Sequence, residues 1–290
     1  MGVSFIGGIL FMDKITIGYL GPAGTFTEVA VKELFGHRSF SLQAFSTIEE
    51  CMEAAQKKLM DYTVVPIENS IGGSVSTTLD RLIHELEVPI QGEVHLPIHQ
   101  QLLVHPKQKN RENYTHVFSH PQALKQCSDF LSKEYPGVKQ QTMNSTAEAA
   151  RVISENPDKP WLAIANSVAR NFYKLEIKKE NIETFSTNMT RFVVLSYLPL
   201  EIDTKRKKAS IIVSFPQHDL MILHDLLSLA QVFRLKPTKI ESAPMKTGMG
   251  EYFFFIDFEI TNKEEGFKEM CRLIEQIGCN LRILGCYPSK

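Results

Sequence analysis

The stretch Tyr62-Thr63-Val64-Val65-Pro66-Ile67-Glu68-Asn69-Ser70-Ile71-Gly72-Gly73 decides how the rest of the chain is read. Its apolar opening has the length and composition of a buried strand. Its polar end, Glu68-Asn69-Ser70, falls where that strand gives way to a Gly-Gly turn. A helix carrying Leu79, Leu82, Ile83 and Leu86 follows. Strand, polar loop and helix form the repeating unit of an α/β protein, and such proteins gather ligand contacts at strand ends. A second polar motif, Thr190-Arg191-Phe192, opens another apolar run over 193–197. If the two motifs meet, the site holds an acid, an amide, hydroxyls and one fixed positive charge. That set suits a small anion carrying a hydroxyl group.

The same unit recurs on both sides. Residues 15–20 lead through Gly21-Pro22-Ala23-Gly24 to Thr25-Phe26-Thr27-Glu28, which reads as a capping box with Thr25 as N-cap. Ser46 and Thr47 precede a helix with Glu49 and Glu50 in its first turn. Residues 115–118 end at Ser119-His120, and Pro121 takes the first helical position. On that helix Leu124, Cys127 and Leu131 share core spacing, while Gln122 and Gln126 lie on another face. Residues 138–142 lead to a second capping box, Ser145-Thr146-Ala147-Glu148, and 161–165 lead into Asn166-Ser167 and a short helix.

Two segments break the alternation, 88–104 and 192–197. They read as crossings between two α/β lobes with a ligand cleft between them. The boundaries expected are lobe 1 at about 13–91 and 188–198, lobe 2 at about 92–187, a charged linker at 199–208, and a C-terminal unit at 209–290. That last unit reads as β-α-β-β-α-β, a ferredoxin-like arrangement. No chemistry is evident in it.

Composition narrows the function classes. A 290-residue chain with 43% hydrophobic content can bury a large core. A formal net charge of -1 gives no electrostatic case for nucleic acid or an anionic membrane as partner. The basic run over 205–208 reads as a solvated linker. Five cysteines with no Cys-x-x-Cys pair argue against a disulfide framework and a zinc site, and fit a reducing cytoplasm. Residues 1–12 are apolar and uncharged but lack a basic flank and a cleavage site. They read as an N-terminal extension with no part in the fold, the sequence beginning again at Met12-Asp13-Lys14. The pairs His95/His99 and His116/His120 have no carboxylate ligand at suitable spacing, so no metal is expected. The Gly21–Gly24 loop lacks the third glycine and the distant acid of a dinucleotide fingerprint, so no cofactor is assigned.

Taken in order, Gly21-Pro22-Ala23-Gly24-Thr25-Phe26, Val65-Pro66-Ile67-Glu68-Asn69-Ser70, Ser119-His120-Pro121-Gln122 and Thr190-Arg191-Phe192 resemble the prephenate dehydratase family over nearly the whole chain from Lys14 to Pro288. The C-terminal unit resembles the ACT regulatory domain that follows it there, with Ile240-Glu241-Ser242-Ala243-Pro244 at the family's Glu-Ser-Arg-Pro position. The resemblance implies an α/β catalytic domain with two periplasmic-binding-protein-like lobes. It also implies conversion of prephenate to phenylpyruvate with loss of water and carbon dioxide, and a homo-oligomer, dimer or tetramer, joined through the ACT domain. It places the catalytic threonine at Thr190. The substrate residues would be Asn69, Ser119, Gln126 and Arg191, with Glu68, Ser70, Phe192 and Thr25 beside them. L-phenylalanine would bind at Leu220, Met221, Glu241, Ser242 and Pro244.

Each assignment has a plainer counterpart. Arg191 can fork a substrate carboxylate or hold a structural salt bridge. Thr190 is too weak an acid to give up its proton, so it would donate a strengthening hydrogen bond to the departing hydroxyl; otherwise it is a β-branched strand residue. Glu68 either has a raised pKa or points away and orients Asn69. Asn69 can be a turn former, Ser119 an N-cap and Gln126 exposed helix surface. The free amides near Thr25, Ser119 and Ser145 can serve an anion. In the C-terminal unit the family's Gly-Ala-Leu is about Leu220-Met221-Ile222, and its Arg is Ala243. Leucine for glycine fills space an effector needs, which predicts retained assembly with weakened phenylalanine feedback. Two rivals stay open: an arogenate dehydratase and a two-lobed sensor without turnover.

Overall fold

Three sheets organise the residues described by the computed structural model, 14–36, 38–215 and 219–290; the 1–12 extension lies outside them. The first builds from β1 (Ile15–Leu20), α1 (Phe26–Phe35), β2 (Phe40–Phe45), α2 (Ile48–Gln56), β3 (Tyr62–Asn69), β4 (Gly73–Ser74), α3 (Ser76–His84) and β5 (Ile90–Pro97). The chain then leaves for β6 (Gln101–Val104), β7 (His116–Ser119), α4 (Pro121–Gln126), α5 (Ser128–Glu134), β8 (Lys139–Thr142), α6 (Thr146–Glu155), β9 (Trp161–Ala165), α7 (Ser167–Phe172) and β10 (Glu176–Lys179). It returns through β11 (Met189–Leu195) to fill the gap in the first sheet, whose order is β2-β1-β3-β11-β5 with β4 beside β3. The second sheet runs β10-β6-β9-β7-β8.

Parallel pairing of β1 with β2 and β3 requires helical crossovers, and α1 and α2 supply them. The returning β11 is antiparallel to both neighbours. The outgoing and returning chains meet where Ile98 N–H donates to the Asn188 carbonyl at 2.8 Å. The expected lobe boundary is corrected here. β5 stays in the first sheet to Pro97, so the second lobe begins near residue 98 rather than 92.

Helix starts follow local chemistry. Thr47 Oγ1 accepts from Glu50 N–H at 3.1 Å and Ser145 Oγ from Glu148 N–H at 3.0 Å. The Thr25 box does not form: its hydroxyl donates to Leu20 O at 3.0 Å, and Glu28 instead accepts from Gly24 N–H at 2.7 Å. His120, not Ser119, caps the Pro121 helix, which breaks at Cys127 into α4 and α5.

The third sheet comprises β12 (Lys207–Ser214), β13 (Lys236–Pro244), β14 (Tyr252–Glu259) and β15 (Asn280–Pro288), with α8 (Met221–Val232) and α9 (Glu264–Gln276). Its antiparallel order, β13-β14-β12-β15, is ferredoxin-like. The helices cover one face. The other shares a core with the first lobe, where Ile212, Phe255, Leu284 and Tyr287 pack with Val65, Ile67, Leu82 and Val193. The unit is docked, not merely tethered. The solvated-linker reading of 205–208 is likewise corrected: Lys207 opens β12, and Lys208 pairs at 2.9 Å with the buried carboxylate of Glu93.

The docking is tight at one backbone contact. A Cβ on Gly285 would overlap the Ile90 carbonyl oxygen. Gly285→Ala should therefore cost about 1–3 kcal/mol through overpacking. Urea unfolding should show a lowered midpoint; an unchanged midpoint would mean that the sheets can separate freely.

Candidate active site

A cleft of about 610 Å³ opens between the two lobes. Pro66, Asn69, Thr190 and Phe192 form its base on the first sheet, and the starts of α1 and α6 with one face of α4 form its walls. The base depends on register. Thr190 pairs with Asn69, Arg191 with Glu68, and Phe192 with Pro66, which leaves Ile67 as a bulge. The bulge sends both Ile67 and Glu68 to the back of the sheet, while Asn69 and Pro66 face the cleft.

The Asn69 amide is locked. Its Oδ1 accepts from Ile71 N–H at 3.1 Å, Gly72 N–H at 2.7 Å and Gln122 Nε2 at 3.2 Å. An oxygen held by three donors fixes the amide orientation, so Nδ2 must point the other way. It donates toward Asn188 Oδ1 at 2.8 Å, Met189 O at 3.1 Å and Thr190 Oγ1 at 2.9 Å. Thr190 Oγ1 is thus an acceptor from Asn69, and its own proton is left for another partner. Asn188, fully buried, donates in turn to Gln126 Oε1 at 3.2 Å. That link, with Gln122 to Asn69, joins the lobes across the cleft.

Further links cross behind the walls. Asn166 Nδ2 donates to Gly24 O at 2.7 Å and the Tyr173 hydroxyl to Ala23 O at 2.9 Å. They hold the 21–24 loop against the second lobe, beside the start of α1. Because Thr25 turns its hydroxyl away, the N-cap side chain leaves the first amides of α1 uncapped among the described residues. His120 accepts from Gln122 N–H at 3.3 Å, which places its remaining proton on Nε2; burial lowers its pKa and favours this neutral form.

Several expected site residues lie elsewhere. Ser119 is buried and donates to Ile164 O at 2.7 Å, tying β7 to β9. Ser70 laces the end of β3 to the returning chain, accepting from Met189 N–H at 2.9 Å. Glu68 faces Lys239 at 3.0 Å, and the direct hydrogen bonds to the Asn69 amide come from the turn amides rather than from the Glu68 carboxylate. Gln126 is buried on the cleft wall rather than exposed on the helix. Thr25 and Phe192 line the cleft. In the C-terminal unit Leu220 and Met221 are exposed, as are Ser242 and Pro244, but Glu241 turns to the opposite face of β13 and bonds Ser74. These five do not converge on one pocket.

Arg191 is the main correction. Adjacent strand residues face opposite ways, so if Thr190 faces the cleft Arg191 cannot. Its guanidinium is 3% exposed and donates to Glu93 at 2.6 Å, to Asp257, and to the Tyr287 hydroxyl at 3.0 Å. Burial works against its charge, but Tyr287, Asp257 and Glu93 outweigh burial and hold it protonated.

Residues absent from the sequence reading also line the cleft. Asn188 and Gln100 do so, as does Arg151, which pairs with Glu155 at 2.9 Å. Gln100 is 3% exposed, and its buried Oε1 has no hydrogen-bond partner among the described residues. Only Gln122 had left a signal, sharing a face with Gln126. Among the described residues no three His, Cys, Asp or Glu side chains gather as a metal site would require, and no helix is long and apolar enough to cross a membrane.

The chain resembles known proteins over almost its full length. The family model for prephenate dehydratase matches residues 17–199. The prephenate dehydratase of Bacillus subtilis (strain 168) is 41% identical, over 94% of this chain and 98% of that protein. That of Lactococcus lactis subsp. cremoris (strain MG1363) is 36% identical, over 93% and 96%. Among solved structures, prephenate dehydratase from Arthrobacter aurescens in complex with L-Phe superposes with a TM-score of 0.82 at 26% identity, covering 94% of this chain and 90% of that one. The Staphylococcus aureus subsp. aureus Mu50 enzyme gives 0.76 at 25% identity, covering 94% and 100%.

The charge cluster carries a pH signature. Burial raises the Glu93 pKa, but the His95 hydrogen bond, the Arg191 and Lys208 charges and the Ser289 hydroxyl outweigh it and hold the carboxyl well below the usual range. A depressed native pKa contributes stability above the unfolded value of about 4.3 and loses it as pH falls. Glu93→Gln should therefore be most damaging near neutral pH, and its gap to wild type should narrow in acid. Denaturant unfolding at stepped pH would measure this, and a constant gap would refute it.

Proposed function

This chain belongs to the prephenate dehydratase family, and from that premise we infer how its cleft performs the reaction. The enzyme is a carbon-oxygen lyase that converts prephenate to phenylpyruvate, a step toward phenylalanine. The ring C–O bond breaks, and so does the bond to the ring carboxylate. The electron pair released with carbon dioxide completes the aromatic ring. The hydroxyl takes up one proton, drawn from solvent, and departs as water.

Thr190 is the catalytic residue in this reading. The observation that carries it is the Asn69–Thr190 hydrogen bond of 2.9 Å, which leaves the hydroxyl proton free to strengthen its bond to the leaving oxygen as charge develops. Gln100 Oε1 suits the only hydroxyl donor that prephenate offers, so the leaving group can be held from both sides. The two carboxylates are met by the uncapped amides of α1 and by the start of α6, with Arg151 serving the side-chain carboxylate that the product retains. Phe192 and Pro66 provide an apolar bed for the ring, and Gln126 closes the wall from the second lobe.

We read the C-terminal unit as an ACT-type regulatory domain that joins subunits, on its ferredoxin-like order and the resemblance of its Glu241-Ser242-Ala243-Pro244 segment. Exposed Leu220, Met221, Val232 and Ile240 support such an association. The bound L-Phe of the Arthrobacter aurescens structure supports phenylalanine as an effector class. Leu220 and Ala243 support a weakened response. All five cysteines are free, in keeping with a cytoplasmic setting.

The direct test is prephenate turnover by the purified chain, with arogenate in parallel. Thr190→Ala should lower kcat by about 10²–10⁴-fold with little change in KM. Glu68→Gln, which faces away from the cleft, should retain turnover within about tenfold of wild type. Equal losses from both would reject the assignment.

Feedback is a separate measurement. Phenylalanine should inhibit only at concentrations well above those effective on responsive relatives. Inhibition at low concentration would show that Leu220 and Ala243 leave the effector site intact.

A further inference from the structure

Directly behind the Asn69–Thr190 pair lies a charge cluster contributed by two sheets; four of its members face one another across the interface, while Glu93 on Arg191 at 2.6 Å and Glu241 on Lys239 at 2.9 Å flank them. On the first sheet Glu68 and Arg191 are cross-strand partners; on the third, Lys239 and Asp257 are. The sheets meet with opposite charges opposed. Arg191 pairs with Asp257, Lys239 with Glu68 at 3.0 Å, and Arg191 with Glu68 at 3.5 Å.

Each half reaches a cleft residue, one through the β3–β4 turn and the other through the chain itself. Lys239 Nζ also donates to Ser74 Oγ at 2.6 Å, so it grips both sides of the turn between β3 and β4, since Glu68 and Ser74 are themselves registered partners. That turn supplies the Ile71 and Gly72 amides that lock Asn69, and Asn69 sets the orientation of Thr190. Arg191 is bonded to Thr190 through the chain. Its guanidinium sits in a closed ring: Arg191 donates to Tyr287, Tyr287 to Ser210, Ser210 to Asp257, and Asp257 accepts again from Arg191.

We propose that Glu68 and Arg191 are positioning residues, and that the charge quartet they form with Lys239 and Asp257 is the link through which the C-terminal unit sets the geometry of Asn69 and Thr190. The proposal rests on Thr190 being the catalytic residue. It assigns to Lys239, in another domain and out of reach of the substrate, an effect on the chemical step. A purely structural role would make Lys239 matter for stability alone.

The test uses the full-length chain with prephenate and compares Lys239→Met, Glu68→Gln, the double variant, Lys239→Arg and Thr190→Ala. Lys239→Met and Glu68→Gln should each lower kcat by about three- to tenfold with KM nearly unchanged, and the double should be no slower than the worse single. Lys239→Arg, which keeps the charge, should restore most of the rate. Wild-type kcat in Lys239→Met would overturn the proposal, even if its melting point fell. So would losses that multiply in the double variant. Thr190→Ala distinguishes the two possible failures: full activity there would reject the catalytic assignment and the proposal with it. A large Thr190→Ala loss with an unaffected Lys239→Met would reject the coupling alone.

Discussion

A guanidinium buried between two packed sheets must find its counter-charges there, because water cannot supply them. Arg191 satisfies that requirement with Glu93 from β5, Asp257 from β14 and the Tyr287 hydroxyl from β15. Three strands from two domains are thereby committed to one side chain. Replacing it by an apolar group would take from Asp257 its paired cation and leave Glu93 to Lys208 alone, which is worse than never having buried the set. The docking of the C-terminal unit on the first lobe follows from this pairing as much as from the shared apolar core. Charges specify one relative placement of the sheets, whereas apolar contact alone tolerates several.

The same alternation that buries Arg191 exposes Thr190. A strand presents successive side chains to opposite faces, so the Thr190 hydroxyl and the buried Arg191 cation are necessarily back to back. The bulge at Ile67 does the equivalent on β3, keeping Asn69 on the cleft side while Glu68 faces the charges behind. Front and back of the sheet cannot then be altered independently. A shift that strains the charge cluster must tilt the strand pair that carries the site.

How much of this was readable beforehand depends on the range of the interaction. Repeated strand-loop-helix units were legible in the apolar run before Glu68 and in Ser145-Thr146-Ala147-Glu148, because these are local patterns. The pairing of Asn69 with Thr190 is legible as a meeting of two motifs within one lobe, but not as a register pair on adjacent strands, because register is set by the whole length of β3 and β11. Arg191, Ser119 and Glu241 were misplaced for a common reason. A polar residue in a motif reads as a ligand contact, while the side to which it points is set by register with a distant strand. Asn188 and Gln100 went unseen because their significance lies in the hinge, where outgoing and returning chains meet some 90 residues apart in sequence.

The chemistry supplies a reason for Arg191 to be where it is. The ring carboxylate of prephenate must become neutral carbon dioxide, so its negative charge is greatest before the transition state and declines through it. A guanidinium forked onto that group would bind the ground state more tightly than the transition state, and so oppose reaction. Backbone amides at a helix start offer partial charge and can orient the carboxylate with less of that penalty. The leaving oxygen behaves in the opposite way, gaining charge as its bond breaks. A donor whose bond strengthens there helps the transition state selectively, and that is the part proposed for the Thr190 hydroxyl, which accepts from the Asn69 amide. Placing the strong cation behind the sheet and the weak donor in front therefore serves both partners of the reaction.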